Sequence, residues 1–173
     1  MTIERTLILI KTDAVQRGIV GEIVTRFEKV GLKIVGSKMM VPSSEHYFHH
    51  YETIGKMVSR RGQKAFDTTL EFMIEGPVIA FVLEGIEAIA LVRKMVGATE
   101  PKSALPGTIR GDYSHISFGH ADQEDIGFPN IIHASGDASD AEQEIKHWFS
   151  DGELFKYETR QEHYTQPKKR KKA

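Results

Sequence analysis

The sequence predicts an α/β protein, an α+β sandwich of the ferredoxin-like type in which helices cover an antiparallel βαββαβ sheet. The first observation behind this prediction is that short runs rich in aliphatic and β-branched residues alternate with helical stretches in the order β-α-β-(α)-β-α-β-α. The second is that 173 residues, 40% of them apolar and 27% charged, suit one domain with its own core.

The first half of the chain predicts two strands and three helices. The first strand is buried and ends in Lys11, and Gly31 ends the first helix. A polar, basic segment at 55–64 separates the last two helices. The elements follow the order strand 6–11, helix 23–30, strand 32–41, helix 42–51 and helix 66–73.

The second half predicts a very apolar strand at 77–83 and a helix at 86–96 that Gly97 ends. Residues 98–127 show little periodicity and hold two prolines and four glycines, which indicates a long loop, and long loops inside a compact domain are typical of functional sites. A short strand at 130–133, a turn and a final amphipathic helix follow.

Composition excludes several classes of protein. The chain has no cysteine, which excludes disulfides, thiolate metal sites and cysteine nucleophiles and fits a reducing compartment. We find no signal-peptide pattern, and Glu84 and Glu87 interrupt the longest apolar run, so we expect a cytoplasmic protein with no membrane span.

The net charge of -1 combines two unlike parts. Residues 167–173 hold five cations and no anion, and without them 18 basic residues face 24 acidic ones. We therefore expect a domain at 1–166 followed by a flexible basic tail at 167–173, which would contact nucleic acid at most weakly. An anionic ligand of the acidic body would need a local cluster of cations and backbone N–H groups.

His133 is the first candidate for chemistry because it ends a strand among small residues, which leaves the imidazole accessible. Glu144 follows eleven residues later, in the last helix. A carboxylate on one ring nitrogen would fix the tautomer and leave the other nitrogen nucleophilic. On local sequence alone, a hydrogen-bonded structural histidine is the favoured interpretation.

Arg110 lies between two glycines in the segment PGTIRGD at 106–112, where backbone can approach a ligand and a guanidinium matches phosphate oxygens. Lys11, Arg93 and Thr99 lie at or just past the ends of predicted elements, and each alone is interpreted more readily as a solvated surface residue. Neither the P-loop pattern nor the GxGxxG pattern occurs in the chain.

Three segments together resemble the nucleoside diphosphate kinase family: KTDAVQRG at 11–18, PGTIRGD at 106–112 and NIIHAS at 130–135. The resemblance runs from about residue 5 to residue 149 and implies the ferredoxin-like fold. It also implies that His133 takes the γ-phosphate of a nucleoside triphosphate, becomes phosphohistidine, and passes the group to a nucleoside diphosphate. A catalytically idle nucleotide-binding or assembly protein on the same fold is the alternative.

The resemblance also implies roles for the other candidates. Lys11, Arg93, Thr99 and Arg110 match positions that contact the phosphates, and Asn130 and Lys11 match positions that contact the ribose hydroxyls. Close to the histidine, the matching positions are a tyrosine near the γ-phosphate, Tyr51, the acid that orients the imidazole, Glu144, and the serine beside that acid, Ser135.

Phe66 and Leu70 match the pair that sandwiches the base in the family, and their spacing of four places them on one helix face. Core packing of Phe66 is the competing interpretation. Mg²⁺ is implied as a cofactor that enters with the nucleotide phosphates, and homo-oligomers, hexameric or tetrameric, are implied as the assembly, with loop 98–112 near the subunit contacts.

The chain departs from the family pattern at Thr12, where proline is usual, and at Gly136, where aspartate is usual. Extra segments lie at 55–64 and 113–128. We interpret the arginines of the first as solvated, and the histidines at 46, 49 and 50 as a polar helix face. His115, His120 and Asp122 are a weak candidate for a metal cluster.

Overall fold

The computed structural model describes residues 2–165, and the predicted tail at 167–173 lies outside them. Four strands form one antiparallel sheet in the order β2-β3-β1-β4, which confirms the predicted ferredoxin-like arrangement. The strands are β1, Ile3–Ile10; β2, Lys33–Met40; β3, Val78–Ile86; and β4, Ile132–Ala134.

Ten α-helices lie within the described residues: α1, Thr12–Gln16; α2, Val20–Lys29; α3, Ser44–Phe48; α4, Met57–Arg61; α5, Gln63–Met73; α6, Ala88–Val96; α7, Ile109–Tyr113; α8, Phe118–Glu124; α9, Ala138–Trp148; and α10, Glu162–Thr165. A π-helical turn, His49–Ile54, continues α3, and 3₁₀ turns span Pro101–Ser103 and Asp151–Glu153. Gly31 and Gly97 both have a φ of 87° just past α2 and α6, so both predicted glycine stops are confirmed.

Strand β1 is buried on both faces, and its alternation divides the core in two. Ile8 and Ile10 face a cluster that includes Phe27 of α2 and Val92 of α6. Leu7 and Leu9 face a second cluster that includes Tyr47, Met73 and Trp148. Because β1 is an inner strand between these two layers, Lys11, the residue that follows it, is held rigidly at the carboxyl end of that strand.

The predicted helix start at residue 86 is wrong by two residues, because β3 continues to Ile86. Its charged end is stable as a strand because Glu84 lies opposite Arg5 of β1 and Lys33 of β2 and forms ion pairs of 2.7 Å with both. In the sequence Glu84 interrupts an apolar run, but in the structure it continues the strand as the cross-strand partner of Arg5 and Lys33.

The predicted loop at 98–127 and the segment at 55–64 contain short helices. Side-chain caps begin two of them: Oγ1 of Thr108 accepts a hydrogen bond from the N–H of Gly111 in α7, and Oγ of Ser117 accepts one from the N–H of His120 in α8. Helices of five to seven residues carry too few turns to show an apolar period, which is why the sequence reads as loop.

Within residues 2–165, no helix combines the length and the apolar character that a membrane span requires.

Candidate active site

A cavity of about 510 Å³ opens where β1 ends and β4 begins, and where α5, α6, α7 and α8 approach them. This volume is in the range of small-molecule sites. Of the described residues that line it, five are lysine or arginine and three are acidic, although the body of the chain is acidic as a whole. The cavity therefore concentrates positive charge locally, as an anionic ligand requires.

His133 lies in β4 directly opposite Leu9 of β1, and its side chain is 22% exposed to the cavity. Its Nε2 is 2.9 Å from Oε1 of Glu144. Since a carboxylate only accepts hydrogen bonds, Nε2 carries the proton. The lone pair of Nδ1 is consequently free.

Glu144 is held on its other side as well. Its Oε2 accepts a hydrogen bond of 2.6 Å from Oγ of Ser135, which in turn accepts one from the backbone N–H of Leu7 in β1. Burial raises the pKa of Glu144, but the His133 ring and the two hydrogen bonds outweigh burial and lower it overall. The carboxylate thus stays charged against the imidazole, and β1 fixes both.

Lys11 and Asn130 meet at the floor of the cavity. Nζ of Lys11 donates a hydrogen bond of 2.6 Å to Oδ1 of Asn130, whose Nδ2 donates to the carbonyl of Thr99. Burial lowers the pKa of Lys11 to about 8; Asp13 opposes this effect and Arg110 adds to it. A buried ammonium without full charge compensation is prepared for an anion.

Arg110 is buried and anchors the backbone around the site. It donates to the carbonyls of Asn130, Gly97 and Ile132 at 3.2, 3.1 and 2.6 Å. Burial and the neighbouring Arg93 lower the pKa of Arg110 to about 10. A guanidinium has five N–H groups, so two remain for a ligand. Arg93 and Thr99 are exposed and line the same cavity.

Tyr51 lies on the π-helical turn and also lines the cavity. Burial raises the pKa of its phenol, which therefore keeps its proton. Its Oη is buried and has no hydrogen-bond partner among the described residues. The hydroxyl is a donor without an acceptor.

Phe66 and Leu70 are not brought together with the other predicted residues. Phe66 is 3% exposed and packs edge to face on Phe48, and Leu70 packs against the core cluster that contains Met73, so neither lines the cavity. Ala65 and Thr69 of the same helix line it instead. One residue along a helix is a rotation of about 100°, so an offset of one residue changes the face.

The two extra segments meet over the cavity, a contact that the sequence did not indicate. The guanidinium of Arg61 lies 3.6 Å from the ring centre of Phe118, and Phe118 stacks on Phe128 at 4.4 Å. Lys64 and Asp125 form an ion pair of 3.0 Å between the same segments. The cavity is lined by all three of these residues, Arg61, Phe118 and Phe128. The only feature of the sequence that pointed to this contact was the presence of two aromatic residues in an otherwise polar segment.

The histidines are also distributed differently from the prediction. His50, interpreted as part of a polar helix face, is 1% exposed and lines the cavity beside His133. Among the described residues, the histidine and carboxylate cluster close enough to hold a metal ion is His50, His133 and Glu144. The predicted candidate at 115, 120 and 122 does not form such a cluster.

A sequence model of the family described as nucleoside diphosphate kinase matches residues 4–154. The nucleoside diphosphate kinase of Borreliella burgdorferi is 43% identical over 157 residues, which are 91% of this chain and 93% of that protein. The protein of the same name from Pyrococcus abyssi is 47% identical over 154 residues, 89% of each chain.

Solved structures give the same result. A nucleoside diphosphate kinase from Borrelia burgdorferi, described as a transition-state mimic with vanadate and ADP, superposes with a TM-score of 0.90 at 41% identity and covers 94% of this chain and 96% of its own. A Halobacterium salinarum enzyme in complex with CDP superposes with a TM-score of 0.80 at 39% identity, over 94% and 98% of the two chains.

Proposed function

The chain belongs to the nucleoside diphosphate kinase family, and we propose that His133 is the residue through which it transfers phosphate. As a member of this family it is a phosphotransferase that moves the γ-phosphate of a nucleoside triphosphate to a nucleoside diphosphate. The observation that carries the assignment of His133 is its hydrogen bond to Glu144, which leaves Nδ1 as the free nitrogen.

In the proposed step, the lone pair of Nδ1 forms a bond to the γ-phosphorus while the bond between that phosphorus and the β–γ bridging oxygen breaks. The electron pair of the broken bond leaves with the nucleoside diphosphate. The ring keeps its Nε2 proton and gains positive charge, which the carboxylate of Glu144 stabilises. A second diphosphate reverses the step, which makes the reaction ping-pong.

The phosphates would be held by the cations of the cavity floor. Lys11 and the two remaining N–H groups of Arg110 supply charge-assisted donors, and exposed Arg93 and Thr99 can reach the outer oxygens. Tyr51 offers its unpartnered hydroxyl. Asn130, already bonded to Lys11, would contact the ribose.

The base would lie between α5 and the second extra segment. Ala65 and Thr69 offer small side chains on one side, and Phe118 with Arg61 forms the wall from the extra segments. This position replaces the one predicted for Phe66 and Leu70. One related structure holds ADP and another holds CDP, and an aromatic wall accepts either base because each has a π-face.

We propose Mg²⁺ as the cofactor, bound by the phosphates of the nucleotide. Asp122 and Asp140 line the cavity and are the carboxylates available to bind its water shell. When bound, the ion neutralises charge on the transferring group. The one compact ligand cluster among the described residues contains the proposed nucleophile, so it does not suit a resident Mg²⁺.

We further propose a cytoplasmic homo-oligomer. Apolar side chains on edge strand β2 and in the loop before α7 support self-association, since Met39 is 58% and Leu105 is 74% exposed. The absence of cysteine supports a reducing compartment.

Labelling with γ-labelled ATP tests the role of His133. Wild-type protein should take up acid-labile label without an acceptor and release it when a nucleoside diphosphate is added. His133→Ala should take up none, whereas His120→Ala, which removes an exposed histidine, should behave as wild type. Label retained by His133→Ala would contradict the assignment, and no label on wild type would favour the idle alternative.

A further inference from the structure

We propose that the Nε2–H of His50 donates a hydrogen bond to the phosphoryl group while His133 carries it. The inference rests on the proposed function, because it needs a phosphoryl group on His133. It assigns to His50 a direct contact with the reacting group.

His50 is placed against the nucleophile by the π-helical turn His49–Ile54. Its ring meets the ring of His133 edge to face, with centres 4.6 Å apart and planes at 83°. The side chain is 1% exposed and lines the nucleotide cavity. Its Nε2 is buried and has no hydrogen-bond partner among the described residues.

The other ring nitrogen of His50 fixes the tautomer. Nε1 of Trp148 lies 3.2 Å from Nδ1 of His50, and the indole N–H is a donor only. Nδ1 must therefore accept, and Nε2 must carry the proton. Burial, followed by the nearby His133, holds the pKa of His50 well below its usual value, so the ring stays neutral and Nε2 remains an N–H donor.

The same contact argues against a metal ion at His50, His133 and Glu144, although these residues lie close enough to hold one. A metal on Nε2 of His50 needs the lone pair of that nitrogen, which would move the proton to Nδ1. Nδ1–H would then face the N–H of Trp148, and two donors cannot bond to each other.

A buried N–H without an acceptor is unfavourable, and the large majority of buried polar groups in native proteins have a hydrogen-bond partner, so this N–H calls for one. The phosphoryl group adds three oxygens beside His50 when it bonds to Nδ1 of His133. Lys11 and Arg110 lie at the floor of the cavity, so His50 would add a donor from the side of the imidazole. Its hydrogen bond would be strongest when charge on the transferring oxygens is greatest.

Two variants of His50 separate this role from a structural one. His50→Asn places an amide near the position of Nδ1, where it can accept from Trp148, but it removes the donor at the position of Nε2. His50→Gln extends its amide to the position of Nε2 and keeps a donor there. The rate to measure is phosphorylation of His133 by γ-labelled ATP in rapid-quench experiments without an acceptor.

We expect His50→Asn to slow this step about 10- to 100-fold, the effect of one hydrogen bond to a charged group. His50→Gln should keep most of the rate, and the ADP Kd should stay unchanged in both. A rate for His50→Asn equal to wild type, or equal losses in both variants, would overturn the inference. Either result leaves the proposed function intact, because wild type would still label on His133.

Nitrogen-15 NMR of wild-type protein gives a second test that needs no variant. We expect the Nε2 of His50 to be protonated and its proton resonance to shift when His133 is phosphorylated. A deprotonated Nε2, or a resonance that does not move, would overturn the inference even if the asparagine variant fails to fold.

Discussion

Nε2 of His133 lies 2.9 Å from Oε1 of Glu144, and Glu144 is 3% exposed. A buried charge in contact with the imidazole is sensitive to the charge of that ring. When Nδ1 bonds to phosphorus the ring becomes positive, so the interaction with Glu144 is stronger after phosphorylation than before. Under the proposed function, the pair would therefore favour the covalent state as well as orient the ring.

Glu144→Gln should separate charge from orientation, because the amide oxygen can still accept from Nε2 of His133. We expect phosphorylation of His133 to slow about tenfold, since a hydrogen bond to a charged partner is stronger than one to a neutral partner. Rapid-quench labelling measures this rate. Glu142→Gln is the matched control, because it removes an exposed charge from the same helix and should leave the rate unchanged. Equal rates for Glu144→Gln and wild type would exclude the charge as a contributor.

The wall formed by Arg61 and Phe118 leads to a second prediction. Phe118→Ala should weaken ATP and CDP binding by about 1–3 kcal/mol, because base stacking on an aromatic ring is of this size. Arg61→Ala should act in the same direction, since the guanidinium lies over the ring of Phe118. Calorimetric Kd values measure the effect.

Inorganic tripolyphosphate is the control ligand for these variants because it has phosphates but no base. Its inhibition constant should be the same for wild type and both variants. A parallel loss of tripolyphosphate binding would show that the two residues act on the phosphates or on the fold. Lys64→Ala removes an exposed ion pair between the same segments. It should change neither the nucleotide Kd values nor the inhibition constant of tripolyphosphate.

The sheet could be predicted from sequence because β1 and β3 each contain a continuous run of buried apolar residues. Such short runs are typical of strands covered on both faces. Glycine stops were predictable for a similar reason, since positive φ favours glycine. The short helices α4, α7 and α8 could not be predicted, because five to seven residues show no periodicity and tertiary contacts stabilise them.

The candidate site also has a part that could be predicted from the sequence and a part that could not. The residues around His133 and Lys11 lie in segments that resemble the family without gaps, and the structure brings Lys11, Arg93, Thr99, Arg110, Asn130, Tyr51, Ser135 and Glu144 around one cavity or in contact with its lining. The base position follows an inserted segment, where an alignment can slip by one residue. The helical spacing of the apolar residues predicts the core face correctly, because Phe66, Leu70 and Met73 recur at i, i+4 and i+7.

Phe66→Leu should therefore affect folding and leave the nucleotide site intact. The side chain is 3% exposed against Phe48, so we expect a loss of about 1 kcal/mol in the free energy of unfolding. Urea denaturation measures this loss, and ADP affinity should stay at the wild-type value. Weaker ADP binding with unchanged stability would return Phe66 to the base site.

Lys11 leads to a prediction on pH. Burial lowers its pKa to about 8 in the nucleotide-free protein. Bound phosphates favour the ammonium, so the pKa must be higher in the complex. Between these two values binding takes up a proton, and the affinity for ADP should fall as the pH rises above about 8. Below that pH the side chain is charged in both states and contributes no dependence.

Calorimetry in two buffers of different ionisation enthalpy measures both the Kd of ADP and the proton uptake. Lys11→Arg is the matched variant, because a guanidinium stays protonated throughout this pH range. It should bind ADP with no proton uptake above about pH 8, even if its geometry lowers the affinity at every pH. If the arginine variant loses affinity with pH as steeply as wild type and takes up the same number of protons, the titrating group is not Lys11.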